Sequence, residues 1–363
     1  MSSNLNTPSK AFLSCHSINR SIGKQHILKN VSFTLEEGQV YCIVGPSGSG
    51  KSSLLKIVAG IDAPDSGTVE LRDNVITKGP KMTPPEQRQM NMVFQDYALW
   101  PHMKVKDIIG YGLNKMSKDV RAYRVQEMLE LLQISQYAER YPRELSGGQA
   151  QRVSIARAIA TNPDVLLFDE PLSNLDIQLR AEMRSEFSKL FKRLNKTVLY
   201  VTHDPLEACA FADKIIVMKD GEIEQIDSPQ ALFSAPNSPW IASLAGFDCK
   251  LPLENVHIDH QAKLASAYFL GQYISAKPSC DANGTSKHLW LRSSGLSFAS
   301  LSEKVENTLS GRVVKSNFEG SHWRIDIDVG SEVNIPIQHQ QYLETGSKVN
   351  VHMPFEHCLL INE

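Results

Sequence analysis

The sequence of 363 residues has no uninterrupted apolar run of about 18 residues, the length a helix needs to cross a bilayer. Its N-terminal segment, MSSNLNTPSK, also lacks the basic region followed by an apolar stretch that marks a secretory signal. We therefore expect a chain that neither spans a membrane nor is secreted.

Paired cysteines and an excess of positive charge are missing as well. The six cysteines are scattered without a Cys-x-x-Cys pair, which disfavours a zinc site or a disulfide framework and fits a reducing cytoplasm. Lys and Arg number 38 against 40 Asp and Glu, so the composition does not favour wrapping DNA or RNA. We expect no nucleic-acid partner.

What the sequence does contain is a change of pattern along its length. In the first part, buried-strand patterns such as VYCIV, VLLFDE and TVLYVTH alternate with helical patterns, which is typical of an α/β domain with a parallel sheet. A helical stretch at about 96–150 interrupts this body, and within it 117–141 carries apolar residues at helical spacing. Later segments such as WRIDIDV and KVNVHM alternate with a period of two. These patterns predict a tail at 1–10, an α/β domain at 11–246 and a small β-rich, barrel-like domain at 247–363.

Residues 45–52, GPSGSGKS, fit the pattern G-x-x-x-x-G-K-[ST] of a phosphate-binding loop. The segment follows the apolar strand pattern VYCIV and leads into a helical pattern, as such a loop must. Glycines let the backbone N–H groups point inward at phosphate oxygens, the lysine can bridge the β and γ phosphates, and the last serine can ligate Mg²⁺. A glycine-rich turn without a ligand is the alternative. The predicted nucleotide-binding residues are Gly45, Pro46, Ser47, Gly48, Ser49, Gly50, Lys51, Ser52 and Ser53.

Two acidic residues, Asp169 and Glu170, end the strand pattern VLLF. Ligands of open α/β sheets bind at the carboxyl ends of the strands, so both carboxylates are expected at the nucleotide. We expect Asp169 to hold Mg²⁺ through water and Glu170 to accept a proton from the attacking water. Two acids at a strand end are common, and the prediction depends on their combination with the phosphate loop.

The segment 145–149, LSGGQ, precedes the helical pattern AQRVSIARA. With these residues the chain resembles the nucleotide-binding subunits of ABC transporters, whose signature is LSGGQ. The resemblance implies a P-loop NTPase fold with an inserted helical subdomain, ATP and Mg²⁺ as cofactors, and ATP hydrolysis. It also implies that the signature completes the ATP site of a second copy, so that two chains sandwich two ATP molecules. A serine cap with no ligand is the alternative for this motif. The implied residues are Ser146, Gly147, Gly148 and Gln149.

Three further residues acquire roles through the same resemblance. Gln95 matches the glutamine whose side chain reaches Mg²⁺ and the attacking water, and His203 matches the switch histidine that contacts the γ phosphate and holds Glu170 in position. Asp176 ends Ser-Asn-Leu-Asp, where the family usually has Ser-Ala-Leu-Asp at the dimer interface, and Asn174 replaces the alanine. Each has a structural alternative: a surface glutamine, a structural histidine, and an N-cap for the next helix.

Two other sites are predicted less directly. Ile22 occupies the position where the family usually stacks an aromatic ring on adenine, which leaves open whether ATP is preferred to GTP. Residues 97–100, Tyr-Ala-Leu-Trp, could line a groove that receives a cytoplasmic helix of a permease, or could be core of the helical subdomain.

The resemblance covers about 11–246 closely. The remainder resembles the TOBE-type β domain of bacterial importer ATPases. A motif similar to Leu-Arg-Pro-Glu is common in that domain, and Leu-Arg-Ser-Ser stands at 291–294 here. The implied function is the ATPase subunit of an importer on the cytoplasmic face of the inner membrane. Its implied partners are a second copy, an integral membrane permease and, indirectly, a periplasmic or extracellular binding protein. Ferric iron is the first expectation for the solute, with phosphonate or polyamine next.

Two other functions are less compatible with the sequence. A soluble ABC-type ATPase acting on ribosomes or DNA usually carries tandem nucleotide domains or a long coiled coil, whereas this sequence has one phosphate loop and no heptad run. A nucleotide-binding regulator without turnover would not need both Glu170 and His203.

Overall fold

The computed structural model of the chain describes residues 11–259, 261–279, 288–300, 306–330 and 333–362. It divides into two compact units, 1–229 and 230–363. The division between these units lies before the domain boundary that the sequence predicts at 246, which stays a prediction. The reason for the earlier division is that Ala242, Ala245 and Phe247 pack with Trp290 and Leu359, all within the second unit. The predicted tail at 1–10 and Cys280 lie outside the described residues, and the other five cysteines are free thiols.

The first unit combines two sheets with six helices among the described residues. Its helices are α1 (Lys51–Ala59), α2 (Val105–Gly110), α3 (Lys118–Leu131), α4 (Gly147–Ala160), α5 (Ile177–Leu194) and α6 (Pro205–Phe211), with short 3-10 turns at Pro85–Gln87, Tyr111–Leu113, Ser135–Tyr137 and Pro142–Glu144. Its strands are β1 (Ala11–Ile22), β2 (Gln25–Glu36), β3 (Val40–Val44), β4 (Ser66–Leu71), β5 (Asn74–Lys78), β6 (Lys81–Met82), β7 (Met90–Val93), β8 (Val165–Asp169), β9 (Thr197–Thr202), β10 (Lys214–Lys219) and β11 (Glu222–Asp227).

The central sheet of this unit has the strand order β11-β10-β3-β9-β8-β7. Strands β10, β3, β9, β8 and β7 are parallel, as the sequence predicts, and β11 adds an antiparallel edge. Every residue of β3, β8 and β9 is buried, which explains why the central residues of these strands are apolar. Their carboxyl ends meet at one edge, so the segments that follow them are brought together.

A second, antiparallel sheet has the order β2-β1-β4-β5-β6. Leu13 and Leu35 of this sheet share one hydrophobic core with Leu54 of α1 and Ile216 of the central sheet. No helix among the described residues is long and apolar enough to cross a membrane.

The helical stretch at 117–141 is not one helix. Helix α3 ends at Leu131, Gln133 adopts a left-handed backbone with φ of 56°, and only a 3-10 turn follows at Ser135–Tyr137. The apolar spacing continues across this break because Ile134, whose N–H donates to the Leu129 carbonyl, is buried in the same subdomain.

The second unit is rich in strands, as predicted. It contains α7 (Pro229–Ser234), which begins at the boundary, α8 (Pro239–Leu244), and 3-10 turns at Ser293–Gly295 and Phe355–His357. Its sheets have the orders β12-β16-β22-β15-β14-β13 and β17-β21-β18-β19-β20, and residues of both line one core. The strands are β12 (Cys249–Pro252), β13 (Glu254–Asp259), β14 (Leu264–Phe269), β15 (Gln272–Pro278), β16 (His288–Leu291), β17 (Ser297–Ala299), β18 (Thr308–Phe318), β19 (Trp323–Asp328), β20 (Asn334–His339), β21 (Lys348–His352) and β22 (Cys358–Leu360).

Candidate functional site

The phosphate-loop pattern forms a tight turn between β3 and α1, whose shape requires glycine at particular positions. A Cβ atom on Gly45 would lie 2.1 Å from the Met218 carbonyl oxygen, and one on Gly50 would lie 2.8 Å from the Ile27 carbonyl oxygen. Gly48 and Gly50 have φ of 82° and 95°, in the region that favours glycine. The backbone therefore curls closely at this point, as a cradle for phosphate needs.

Lys51 begins α1 with its side chain directed back into this turn. Its Nζ donates to the carbonyl oxygens of Gly45 and Pro46, each at 2.9 Å. Burial lowers the pKa of the Lys51 amine, and the neighbouring Glu170 and Asp169 carboxylates act in the opposite direction. A buried ammonium group inside a loop of this kind is suited to bind phosphate oxygens.

Ser52 and Asp169 lie side by side, although they are far apart in the sequence. The Ser52 hydroxyl donates to Asp169 Oδ1 at 2.7 Å. Asp169 ends β8 and is buried, and burial raises the pKa of its carboxyl group while the Ser52 bond opposes that shift. A hydroxyl and a carboxylate oxygen at this distance form the hard-oxygen donor set that Mg²⁺ takes beside nucleotide phosphates. These residues therefore fit the predicted Mg²⁺ site.

Glu170 and His203 form the second pair at the same sheet edge. His203 Nδ1 lies 2.9 Å from Glu170 Oε2, and since a carboxylate accepts, the ring N–H is the donor. The backbone of Glu170 is left-handed with φ of 43°, and its N–H donates to the Val201 carbonyl at 3.0 Å. Adjacent strands β8 and β9 thus set the carboxylate and the imidazole against each other.

A buried carboxylate, Glu207, supports the turn that carries His203. The hydroxyl groups of Tyr200 and Thr202 both donate to its Oε2, each at 2.8 Å, and the Asp204 N–H donates to Thr202 Oγ1 at 3.0 Å. Burial raises the pKa of Glu207. Sequence reasoning assigned this residue no role, although it is the glutamate of the T-H-D-x-x-E-A segment around His203.

The LSGGQ segment forms the beginning of α4. Ser146 caps the helix, because its Oγ accepts from the Gln149 N–H at 3.4 Å while its own N–H donates to Gln149 Oε1 at 3.0 Å. Gln149 Nε2 also donates to the Tyr137 hydroxyl at 3.0 Å. Ser146 and Gly147 are exposed. The helix thus presents a capped N-terminus, and the contribution of these residues to a partner's site stays a prediction.

Gln95 follows β7 with an exposed side chain, and its carbonyl oxygen accepts from Asn174 Nδ2 at 2.9 Å. The next residues are held by α4. The Tyr97 carbonyl accepts from Ser154 Oγ at 3.0 Å and from Arg157 Nη2 at 3.1 Å, and Tyr97 itself has a φ of 63°. The segment after Gln95 is therefore tied both to α4 and to the loop after Glu170.

The aromatic residue Trp100 lies half-buried beside Tyr111, with ring centroids 4.4 Å apart, and the Arg157 guanidinium lies 5.2 Å from the Trp100 ring. Tyr111 is itself 51% exposed. Trp100 is therefore not a fully buried core residue. This half-exposed position is compatible with the predicted groove.

The two remaining predicted residues lie at the surface. Asp176 caps α5, since its Oδ1 accepts from the Leu179 N–H at 3.0 Å. It is therefore the N-cap that the sequence offered as the structural alternative. Its role at a dimer interface stays a prediction. Ile22 ends β1 and is 59% exposed, and its contact with a nucleotide base also stays a prediction.

The site defines a P-loop nucleotide-binding protein, with a lysine cradle, a serine–aspartate pair for a divalent cation and a glutamate–histidine pair beside it. Comparison with known proteins agrees. The profile of the ABC transporter family matches residues 28–173. The Fe(3+) ions import ATP-binding protein FbpC of Rhizobium etli is 36% identical over 95% of this chain and 96% of its own length. The chain belongs to the ATP-binding subunits of ABC transporters, a family of ATPases.

Two other similarities are more limited in extent. The sn-glycerol-3-phosphate import ATP-binding protein UgpC of Ruegeria pomeroyi is 44% identical over 62% of this chain, which spans 64% of that relative. A dimeric structure of the ATP-binding cassette MJ0796, in a post-hydrolysis state with ADP and Pi, is 32% identical and matches with a TM-score of 0.54 over 60% of this chain and 99% of its own.

Proposed function

We propose that this chain hydrolyses ATP at the interface of two copies and thereby powers solute uptake through a separate membrane permease. The observation that carries the proposal is the meeting of the Glu170–His203 pair with Lys51, Ser52 and Asp169 at one sheet edge. A binding protein without turnover would need only the cradle and the cation pair. The similarity to import proteins supports the direction of transport.

The residues divide the chemistry among them. Lys51 would bind phosphate oxygens, and Ser52 and Asp169 would hold Mg²⁺, with the Gln95 side chain as a further predicted ligand. Mg²⁺ held there would supply positive charge that offsets the negative charge on the phosphoryl oxygens. Glu170 accepts a proton from the attacking water at its carboxylate, and His203 keeps that carboxylate in place through Nδ1.

Exposed surfaces of the chain support the partners that the family resemblance implies. The capped end of α4, at Ser146 and Gly147, is exposed and is available to a second copy. The similar dimeric cassette supports this pairing. The half-exposed Trp100 beside Tyr111 offers a contact for a permease helix at the cytoplasmic face of the membrane, and an external binding protein would act through that permease.

Ferric iron is the solute that we propose first. The support is the ferric-ion import relative, which aligns over nearly the whole of both chains, including the second unit. Another relative is named for import of sn-glycerol 3-phosphate, so ATP-binding proteins similar to this chain are named for different solutes. Phosphonate or polyamine are the next candidates.

The variant Glu170→Gln tests the hydrolytic assignment. The amide cannot accept the proton from water, so we expect the ATP hydrolysis rate to fall by about a hundredfold or more, with ATP binding retained. Because the trapped nucleotide would hold two copies together, Glu170→Gln with ATP should elute as a dimer in size-exclusion chromatography. Glu222→Gln, an exposed change on β11, is the matched control and should behave as the wild type. Unchanged hydrolysis in Glu170→Gln would remove Glu170 from the mechanism.

A further inference from the structure

We infer that Asn174 is a positioning residue for hydrolysis, which fixes the main chain at Gln95 and so sets where the Gln95 side chain can reach. An alanine at this position could not donate a side-chain hydrogen bond. The inference rests on the role proposed above for Gln95.

The bond joins two segments that the sequence separates widely. Asn174 Nδ2 donates to the carbonyl oxygen of Gln95 at 2.9 Å, across 79 positions. Gln95 is exposed, and a glutamine side chain in solvent samples many rotamers. The main-chain position of Gln95 is therefore what limits the volume that its amide group can search.

The donor is itself held by the loop that follows Glu170. Ser173 Oγ donates to the Glu170 carbonyl at 2.8 Å, and Arg180 Nη2 donates to the carbonyls of Ser173 and Leu175 at 3.3 and 3.1 Å. Leu175 is buried directly after Asn174. A displacement of the Glu170 loop is therefore passed to Gln95 through Asn174.

The other side of Gln95 is fixed independently. Ser154 and Arg157 of α4 hold the Tyr97 carbonyl, two residues further along the chain. With both bonds present, Gln95 lies in a short stretch anchored at each end. Removing the Asn174 amide leaves the bonds from α4 to the Tyr97 carbonyl intact. It releases only the main chain at Gln95, whose side chain is the proposed Mg²⁺ ligand.

The first test is Asn174→Ala in the full chain. We expect kcat for ATP to fall by about fivefold, because the released main chain brings Gln95 into its reactive position less often, with KM for ATP unchanged. The Mg²⁺ concentration for half-maximal rate should also rise, because Gln95 is the proposed further ligand of Mg²⁺. Asn74→Ala is the matched control, since its exposed amide also donates to a main-chain carbonyl, that of Arg72 at 3.2 Å, on another sheet.

A double-mutant cycle with Gln95→Ala separates the outcomes. If Asn174 acts through the Gln95 side chain, Asn174→Ala should cost nothing further in the Gln95→Ala background. Independent, multiplied effects would overturn the inference while leaving the role of Gln95 in place. A fully active Gln95→Ala would overturn the proposed role of Gln95 and the inference with it. Thermal melts of all variants show whether any loss of rate comes from unfolding.

Discussion

Glu207 is a buried carboxylate whose neighbours within hydrogen-bond distance are the two hydroxyl groups of Tyr200 and Thr202. Two donors aimed at one oxygen orient the side chain, and Arg180 and Asp204 act on it with opposite sign from further away. Burial dominates and raises the pKa of Glu207. The native state therefore binds this proton more tightly than the unfolded chain does.

This residue makes a pH-dependent contribution to stability. Because the native pKa is raised above its ordinary value of 4.5, the contribution is present below pH 4.5 and is lost as pH rises through the native pKa. We expect Glu207→Gln, which keeps an acceptor for both hydroxyl groups, to remove this loss. Urea unfolding at a series of pH values should show the wild type losing stability relative to Glu207→Gln with increasing pH.

The comparison needs a glutamate without such an environment. Glu182→Gln, at an exposed position on α5, is the control substitution measured across the same pH series. If the free energy of unfolding of Glu207→Gln ran parallel to that of the wild type at every pH, the Glu207 carboxyl group would have the same pKa in the native and unfolded states.

At the level of single residues, the sequence was sufficient wherever a motif fixes spacing and chemistry together. Lys51, Ser52, Asp169, Glu170 and His203 could all be placed at one edge because each follows a recognisable strand or glycine pattern. Asn174 could not, because its bond depends on the three-dimensional approach of two loops that are 79 positions apart in the sequence.

At the level of elements, a buried arginine supports the end of the phosphate-loop helix α1. Arg88 is 1% exposed and donates to the carbonyls of Ile57 and Val58 in the last turn of α1, at 3.1 and 2.8 Å. The Ile57 carbonyl also accepts from the Gly60 N–H at 3.1 Å. It also donates to the Thr83 carbonyl at 2.7 Å and to Thr77 Oγ1 at 2.7 Å. Burial lowers the pKa of Arg88 to about 10.

Replacing the Arg88 guanidinium group should destabilise the first unit. Arg88→Lys keeps the charge but has three donors instead of five, so buried carbonyl oxygens lose their partners. We expect the free energy of unfolding to fall by about 2 kcal/mol, as measured by urea denaturation. Arg72→Lys, a change at an exposed arginine that pairs with Glu37 and Asp164, should cost about 1 kcal/mol or less. Equal losses in the two variants would show that Arg88 does not stabilise α1.

The elements themselves were largely predictable, and their ends were not. Strands β3, β8, β9 and β10 were readable as continuous apolar runs because they are buried on both faces. The break after α3 was hidden, because apolar spacing continues through Ile134 while the backbone at Gln133 turns left-handed. Periodicity reports which residues are buried, and it does not report where a helix stops.

At the level of the whole molecule, the candidate site lies within the first unit, and its proposed partners are separate chains. If a permease binds beside the glutamine-bearing segment, Trp100→Ala should reduce the amount of integral membrane protein that co-purifies with the tagged chain from solubilised membranes. The reason is the loss of a half-exposed aromatic ring that packs between Tyr111 and Arg157. The control is Tyr123→Ala, which removes a ring that is 75% exposed on α3.

The alternative class of function predicts another result. Co-sedimentation with ribosomes, unchanged by Trp100→Ala, would favour a soluble ATPase and would contradict the permease contact. Equal recovery of the membrane protein with Trp100→Ala and Tyr123→Ala would place the contact elsewhere on the chain.

The capping box at Ser146 and Gln149 has a consequence for assembly. Association of two proteins costs conformational entropy wherever the contacting segments must first become ordered. Here the first turn of α4 is already closed on itself by two reciprocal hydrogen bonds and tied to Tyr137. If this turn meets the partner's nucleotide, it does so as a preorganised surface, and more of the binding free energy of ATP remains available for bringing the two copies together.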